Sequence, residues 1–197
     1  MSTISKDSSE KRPGSAGRRM LLTGAAVGGA MLLAGETARA DGSEDSRVTD
    51  EARIHRLTVN YALGTDAIGR NDKATGLAYY ARTFTDDVHI MVAGAPTTLR
   101  IGPVAWAEFV DGVFRSSGYD ATQHLIGTVD VTFPRGANGE NEARMSSYLH
   151  ATHHKQDGSA NFIVLGTYVD KVIRQHGKWR IAERTLSVMT AWNVPLT

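Results

Sequence analysis

The chain has 197 residues and a mass of 21.3 kDa, with 22 Lys+Arg against 21 Asp+Glu and no cysteine. The missing cysteine excludes disulfides, thiolate metal sites and a lipid-modified cysteine. Residues 1–40 hold six of the basic and three of the acidic residues, so the remainder carries 16 against 18 and offers no basic face for nucleic acid.

In chain order, residues 1–40 read as an export signal. Met1 to Arg19 is polar and basic, Met20 to Ala34 is apolar, and Ala38-Arg39-Ala40 precedes Asp41. A basic region, a short apolar core and a small-residue cleavage site are the parts of a secretory signal. The apolar run is shorter than the roughly 20 residues that span a bilayer. Gly17-Arg18-Arg19-Met20-Leu21-Leu22 resembles the twin-arginine export signal. The expectation is cleavage after Ala40 and a periplasmic or secreted protein with no stable membrane anchor. About 157 residues then remain, enough for one domain with a core and too few for two.

Residues 41–49 are polar and read as a flexible leader, ahead of a domain over 50–193. Ile54, Leu57, Tyr61, Leu63 and Ile68 recur at helical spacing, with Thr49 or Asp50 as the expected cap. A short helix follows over Asp72 to Ala81. The period then becomes two: Val88 to Val92 and Thr97 to Ile101 predict short strands around Ala93-Gly94-Ala95-Pro96. Gly102-Pro103 opens a third helix. Four long strands close the chain, over about Ala121 to Phe133, Glu142 to His153, Asn161 to Arg174 and Trp179 to Trp192. Three helices followed by hairpin-linked strands give an α+β fold, a cone of strongly curved, mainly antiparallel sheet enclosing a pocket. Apolar residues on the other sheet face suggest a homo-oligomer, dimer or trimer.

Tyr61-x4-Asp66 late in the first helix, His124 at the start of the first long strand, and Gly166-x-Tyr168-x-Asp170 ahead of Gly177-Lys178-Trp179-Arg180-Ile181-x-x-Arg184 carry a resemblance. From about Glu51 to Trp192 the chain resembles the SnoaL-like group of the nuclear-transport-factor-2-like superfamily. The Asp and His pair is similar to the dyad of scytalone dehydratase, bile-acid 7α-dehydratase and hexachlorocyclohexane dehydrochlorinase, lyases that use no cofactor. The resemblance implies a dyad of Asp66 and His124, a pocket tyrosine in Tyr61 and a pocket arginine in Arg184.

The residues themselves bear on this. Asp66 sits among Ala62, Leu63, Ala67 and Ile68. Facing inward it needs a partner, because an unpaired buried carboxylate is costly. His124 would supply one, and the carboxylate would fix its tautomer and leave its other nitrogen as a base. Strict alternation, however, groups His124 with Ile126, Thr128 and Asp130, opposite the greasier Leu125, Val129, Val131 and Phe133. Either Gly127 marks a bulge or the pocket side is the polar one. Tyr61 lies some 140° around an ideal helix from Asp66, so the two share a face only if Gly64 distorts the turn. Arg184 shares a face with Leu186, Val188 and Trp192 by alternation, fit for an anionic group or for a salt bridge to Asp170. Trp106, Phe84, Met91 and Trp192 are further candidates to line the pocket. His150 and His154 stand about 13 Å apart on a strand, too far for one metal, and no glycine-rich nucleotide loop is present. Neither metal nor cofactor is expected. The function indicated is a lyase or isomerase acting on a small hydrophobic, polycyclic or carbonyl substrate. The other reading is an exported binding protein without chemistry.

Overall fold

The computed structural model describes residues 30–135 and 140–196, with helix side chains from Glu44 onward. The apolar run before Ala30 and the Arg18-Arg19 pair lie outside the described residues. The chain divides into two units, Met1–Asp41 and Gly42–Thr197, and the sheet belongs to the second. Among the described residues no helix is long and apolar enough to cross a membrane.

Three helices, α1 (Ala30–Gly69), α2 (Lys73–Thr83) and α3 (Pro103–Ser116), accompany six strands. These are β1 (Phe84–Val92), β2 (Ala95–Ile101), β3 (Tyr119–Thr132), β4 (Glu142–Lys155), β5 (Ala160–Gln175) and β6 (Lys178–Pro195). They form one sheet in the order β2-β1-β6-β5-β4-β3, antiparallel throughout except between β1 and β6. The α+β architecture with a curved sheet follows the sequence pattern. Its inner face carries Met145, Tyr168, Val172, Trp179 and Ile181, packed against Ile54, Leu57, Tyr61 and Ile68 of α1 and Tyr80 of α2.

Local chemistry explains most boundaries. Asp72 caps α2 by accepting the Thr75 N–H at 3.1 Å. Pro103 starts α3 after Gly102, whose φ of 88° suits glycine. One expectation fails at α1, which runs through residues 41–49 and past Thr49 and Asp50 without a cap. Thr49 Oγ1 instead donates back to the Asp45 carbonyl at 2.9 Å. Asp50 is buried and pairs with the Arg174 guanidinium of β5, which also lies over the Trp179 ring. The partner that holds Asp50 is more than 120 residues away in sequence, so local capping rules could not find it.

β3 decides where His124 faces. Its pairing with β4 is regular as far as Gly127↔Tyr148 and resumes at Asp130↔Ser146, so a bulge lies between. Thr128 there has φ 47°. Before the bulge, Thr122, His124 and Ile126 turn inward; after it, Val129, Val131 and Phe133 do. Both the histidine and the greasy set therefore face the interior.

Candidate active site

Asp66, near the end of α1, meets β3 at its free edge. Its Oδ1 lies 2.7 Å from His124 Nδ1 and accepts the Thr122 hydroxyl at 3.0 Å; its Oδ2 accepts the His124 backbone N–H at 3.2 Å. The approach depends on Gly69, where a Cβ would come within 2.3 Å of Thr122 Oγ1. The His124 and Asp66 side chains are 6% and 13% exposed. A carboxylate that already accepts two donors is a proton acceptor at Nδ1, so the neutral imidazole carries its proton there. Nε2 is left as a base and has no protein partner among the described residues.

His124 lines an interior cavity of about 140 Å³. α1 contributes Tyr61 and Thr65, α3 contributes Trp106, Phe109, Val110 and Phe114, and the sheet contributes Leu149, His153, Val164 and Tyr168. The walls are mainly apolar and aromatic, with the polar groups Tyr61, Thr65, His124, His153 and Tyr168 among them. A groove of about 330 Å³ between α1 and β3 reaches Asp66 and His124 from outside. A larger hollow, about 740 Å³, lies elsewhere, on the outer sheet face around Leu125, Tyr148, Leu165 and Met189. It is broad, its titratable groups are Tyr148 and His150, and it lacks the Asp66–His124 pair that borders the interior cavity.

The sequence model of a family described as SnoaL-like domain matches residues 46–185. The chain belongs to the SnoaL-like domain family. Among solved structures it is similar to a protein from Novosphingobium aromaticivorans provisionally called a scytalone dehydratase, at 20% identity and a TM-score of 0.60, over 78% of this chain and 93% of that one. Hexachlorocyclohexane dehydrochlorinase LinA-type3 from Novosphingobium barchaimii shares 16% identity with a TM-score of 0.62, over 78% and 94%. A protein of unknown function from Mycobacterium tuberculosis shares 25% identity with a TM-score of 0.53, over 78% and 76%. A comparison with curated proteins finds no match. The shared feature is the nuclear-transport-factor-2-like fold.

Within this SnoaL-like domain, three expected site residues besides Asp66 border the cavity: Tyr61, His124 and Trp106. Tyr61 and Asp66 need no common helix face. Tyr61 points inward with Thr65, Asp66 points at β3, and His124 reaches between them, 6.5 Å ring to ring from Tyr61. Gly64 does not distort the helix; it makes room for α2, since a Cβ there would lie 2.9 Å from that of Tyr79.

The other four candidates lie elsewhere. Arg184 is 1% exposed and paired with Asp170 through two parallel bonds of 2.8 and 2.7 Å. The rings of Tyr61 and Tyr168 cover it at 4.2 and 4.3 Å, so it lies behind the tyrosines and beyond a substrate's reach. Burial disfavours its cation, but the facing Asp170 outweighs that and holds the pKa above the usual arginine value. Phe84 is packed beneath Tyr61 and Tyr80. Met91 alternates with Ile90 and Val92, which face inward, and so points away from the cavity. Trp192 is displaced by a second bulge: Gly166 pairs with Val188 but Leu165 pairs with Thr190, so Met189 is extra and Trp192 turns to the outer face.

His153 was not among the expected site residues and entered the sequence reading only as the end of a strand. Alternation through Met145, Leu149 and Ala151 places it inside. Its Nδ1 bonds the Phe162 carbonyl at 3.1 Å and its ring lies 5.6 Å from that of His124. Burial, with the neighbouring His124, pushes its pKa down to about 4. It is therefore neutral at ordinary pH, with Nδ1–H donating to the carbonyl and Nε2 an acceptor. Burial also lifts the Tyr80 and Tyr168 hydroxyls well above the usual phenol range, so both stay protonated.

Proposed function

We propose that the protein is a cofactor-independent lyase or isomerase that acts on a small, largely hydrophobic substrate in the interior cavity. The observation that carries this reading is the 2.7 Å contact of Asp66 with His124 in the wall of an aromatic-lined cavity. His124 Nε2 takes a proton from a substrate carbon, and Asp66 stabilises the imidazolium that forms. The C–H electron pair becomes a double bond as a hydroxyl or halide leaves, or moves an existing double bond. In water loss the departing hydroxyl takes its proton back from the imidazolium. The Tyr61 hydroxyl donates to a substrate oxygen on which charge builds, and His153 Nε2 accepts from a substrate hydroxyl. Tyr61 is held for this by stacking on Tyr80 at 5.6 Å and by the Arg184 guanidinium beneath its ring. The small-molecule lyase neighbours of the same fold agree with this choice.

The test is incubation of the purified protein with a metabolite extract, followed by mass spectrometry. A compound that loses water or hydrogen halide with the native protein and survives with His124→Ala supports the proposal. Equal turnover by His124→Ala refutes it. A ligand retained without change by both proteins shows a binding protein instead.

Export is part of the same proposal, on the strength of Arg18-Arg19, the apolar run and Ala38-Arg39-Ala40. Replacing Arg18 and Arg19 with Lys is expected to hold the precursor in the cytoplasm. Mature protein found outside the cell despite that change would overturn the twin-arginine route.

A further inference from the structure

The interior cavity, at about 140 Å³, holds little more than one six-membered ring, since a cavity of about 150 Å³ accepts a benzene molecule. Whatever else a substrate carries must extend out through the mouth. The cavity reaches the surface where Val92, Phe109 and Val113 are partly exposed. At that rim Phe109 is stacked on Trp106 at 5.2 Å, and the Arg100 guanidinium of β2 lies 4.5 Å from the centre of the Phe109 ring. A cation thus stands one aromatic ring away from the cavity, held there by the face of that ring.

A guanidinium carries five N–H donors in a rigid fork. Arg100 Nη1 donates to the Thr97 carbonyl at 2.9 Å and to the Leu99 carbonyl at 2.8 Å. These bonds fix the plane of the group and leave Nε and Nη2 unspent among the described residues. The same edge of Arg184 grips Asp170, with Nε to Oδ1 at 2.8 Å and Nη2 to Oδ2 at 2.7 Å. It is the edge that matches a carboxylate through two parallel bonds. Among the described residues no carboxylate pairs with Arg100. The acids that flank Phe109 on α3, Glu108 and Asp111, are taken by Lys73 at 3.0 and 3.3 Å. Arg100 is therefore oriented, half-buried and without an acid of its own.

We propose that Arg100 binds an anionic group of the substrate, such as a carboxylate, at the rim while the apolar, reacting part lies in the cavity beside His124. The substrate is then amphipathic, with a ring-sized apolar end and an acidic end outside it. Arg184 cannot take this part, because it is spent on Asp170 and covered by the rings of Tyr61 and Tyr168. An ionic anchor at the rim and the Tyr61 hydroxyl inside together fix which carbon faces His124 Nε2. The proposal rests on the cavity as the substrate site, in line with the proposed function, but not on turnover.

The probes 3-phenylpropanoate and 3-phenylpropanamide share one ring and one reach and differ in charge, and neither has to react. Each is titrated into the native protein with ¹⁵N-labelled histidine, where shifts of the His124 and His153 rings report occupation of the cavity. The acid is expected to bind about tenfold more tightly than the amide, the lower end for a hydrogen bond to a charged group. That margin should shrink at about 1 M salt. Arg100→Gln should abolish the preference and leave the affinity for the amide unchanged, and Arg100→Lys should keep part of it. Arg82→Gln, which removes the guanidinium over Tyr79, should change neither affinity. Equal affinities in the native protein overturn the inference, whether or not any variant folds. So does a preference that survives Arg100→Gln, or a failure of both probes to shift His124. A preference that Arg100→Gln abolishes, in a protein that turns over no compound, supports this inference and sinks the lyase reading. Turnover of an uncharged compound at a rate that Arg100→Gln leaves unchanged does the reverse.

Discussion

Asp66→Asn separates the charge of the dyad from its shape. The native carboxylate accepts three donors, two at Oδ1 and one at Oδ2, whereas an amide offers one oxygen and one NH₂. With the oxygen at the Oδ1 site, the NH₂ faces the His124 backbone N–H, donor against donor. With the amide turned over, NH₂ faces His124 Nδ1, whose proton must then move to Nε2, and Nε2 ceases to be a base. Hydrogen bonds to a charged group contribute about 1.5–3 kcal/mol, and a domain of this size loses roughly 2–4 °C in Tm per kcal/mol. The melting temperature should therefore fall by about 3–12 °C. General-base catalysis is worth about 10² to 10⁴ in rate, equivalent to about 2.7–5.4 kcal/mol at 1.36 kcal/mol per decade, and kcat should fall within that range. Long-range ¹H–¹⁵N NMR of labelled histidine needs no substrate and reads the tautomer directly. The native His124 should carry its proton on Nδ1, and the variant should shift it toward Nε2. An unchanged tautomer together with an unchanged Tm would refute the idea that Asp66 orients the base.

The remaining expectations follow from other buried contacts. Asp170→Asn leaves the Arg184 charge buried without its partner and should cost about 3–5 kcal/mol in denaturant unfolding; a loss under about 1 kcal/mol would mean the pair is dispensable. His153 has a folded pKa of about 4 against about 6.5 unfolded, so between those values the unfolded chain binds the extra proton. Stability should fall as pH drops from about 6.5 toward 4, by roughly 3 kcal/mol in total, and His153→Phe should flatten that slope; an equal slope in the variant assigns the effect to other groups. Gly69→Ala brings a Cβ against the Thr122 side chain and should cost about 1–3 kcal/mol. In a double-mutant cycle with Thr122→Ala that cost should shrink, and strict additivity would contradict the clash.

The order and type of the elements were legible because the apolar spacing changes from three-and-four to two near Phe84 and the turns carry Gly, Pro, Asn and Asp. The contact of Asp66 with His124 was legible for a related reason: a carboxylate among Ala62, Leu63, Ala67 and Ile68 requires a partner. What escaped was register. The bulges at Gly127–Thr128 and at Met189 each insert one residue, and with them His124 keeps the company of Val129 while Trp192 leaves that of Arg184. Arg184 is buried by Asp170, directly across from it on β5, a pairing that exists only once the register is set. His153 was within reach of alternation through Leu149 and Ala151, but its place two residues from the end of β4 made it look like part of a turn.

The bulge in β3 makes one strand behave as two segments spliced out of phase. Upstream, Thr122 and His124 turn to Asp66; downstream, Val129, Val131 and Phe133 serve packing, and neither half dictates what the other presents. Removing one residue at 127–128 would restore strict alternation along the whole strand. Either the histidine or all three apolar side chains would then turn to water, and the lost half could not be recovered by repacking. Substitutions at the exposed Thr128 should be absorbed, with glycine relieving its positive φ. Evolution along this strand is thus free to change letters at the splice but not to change its length.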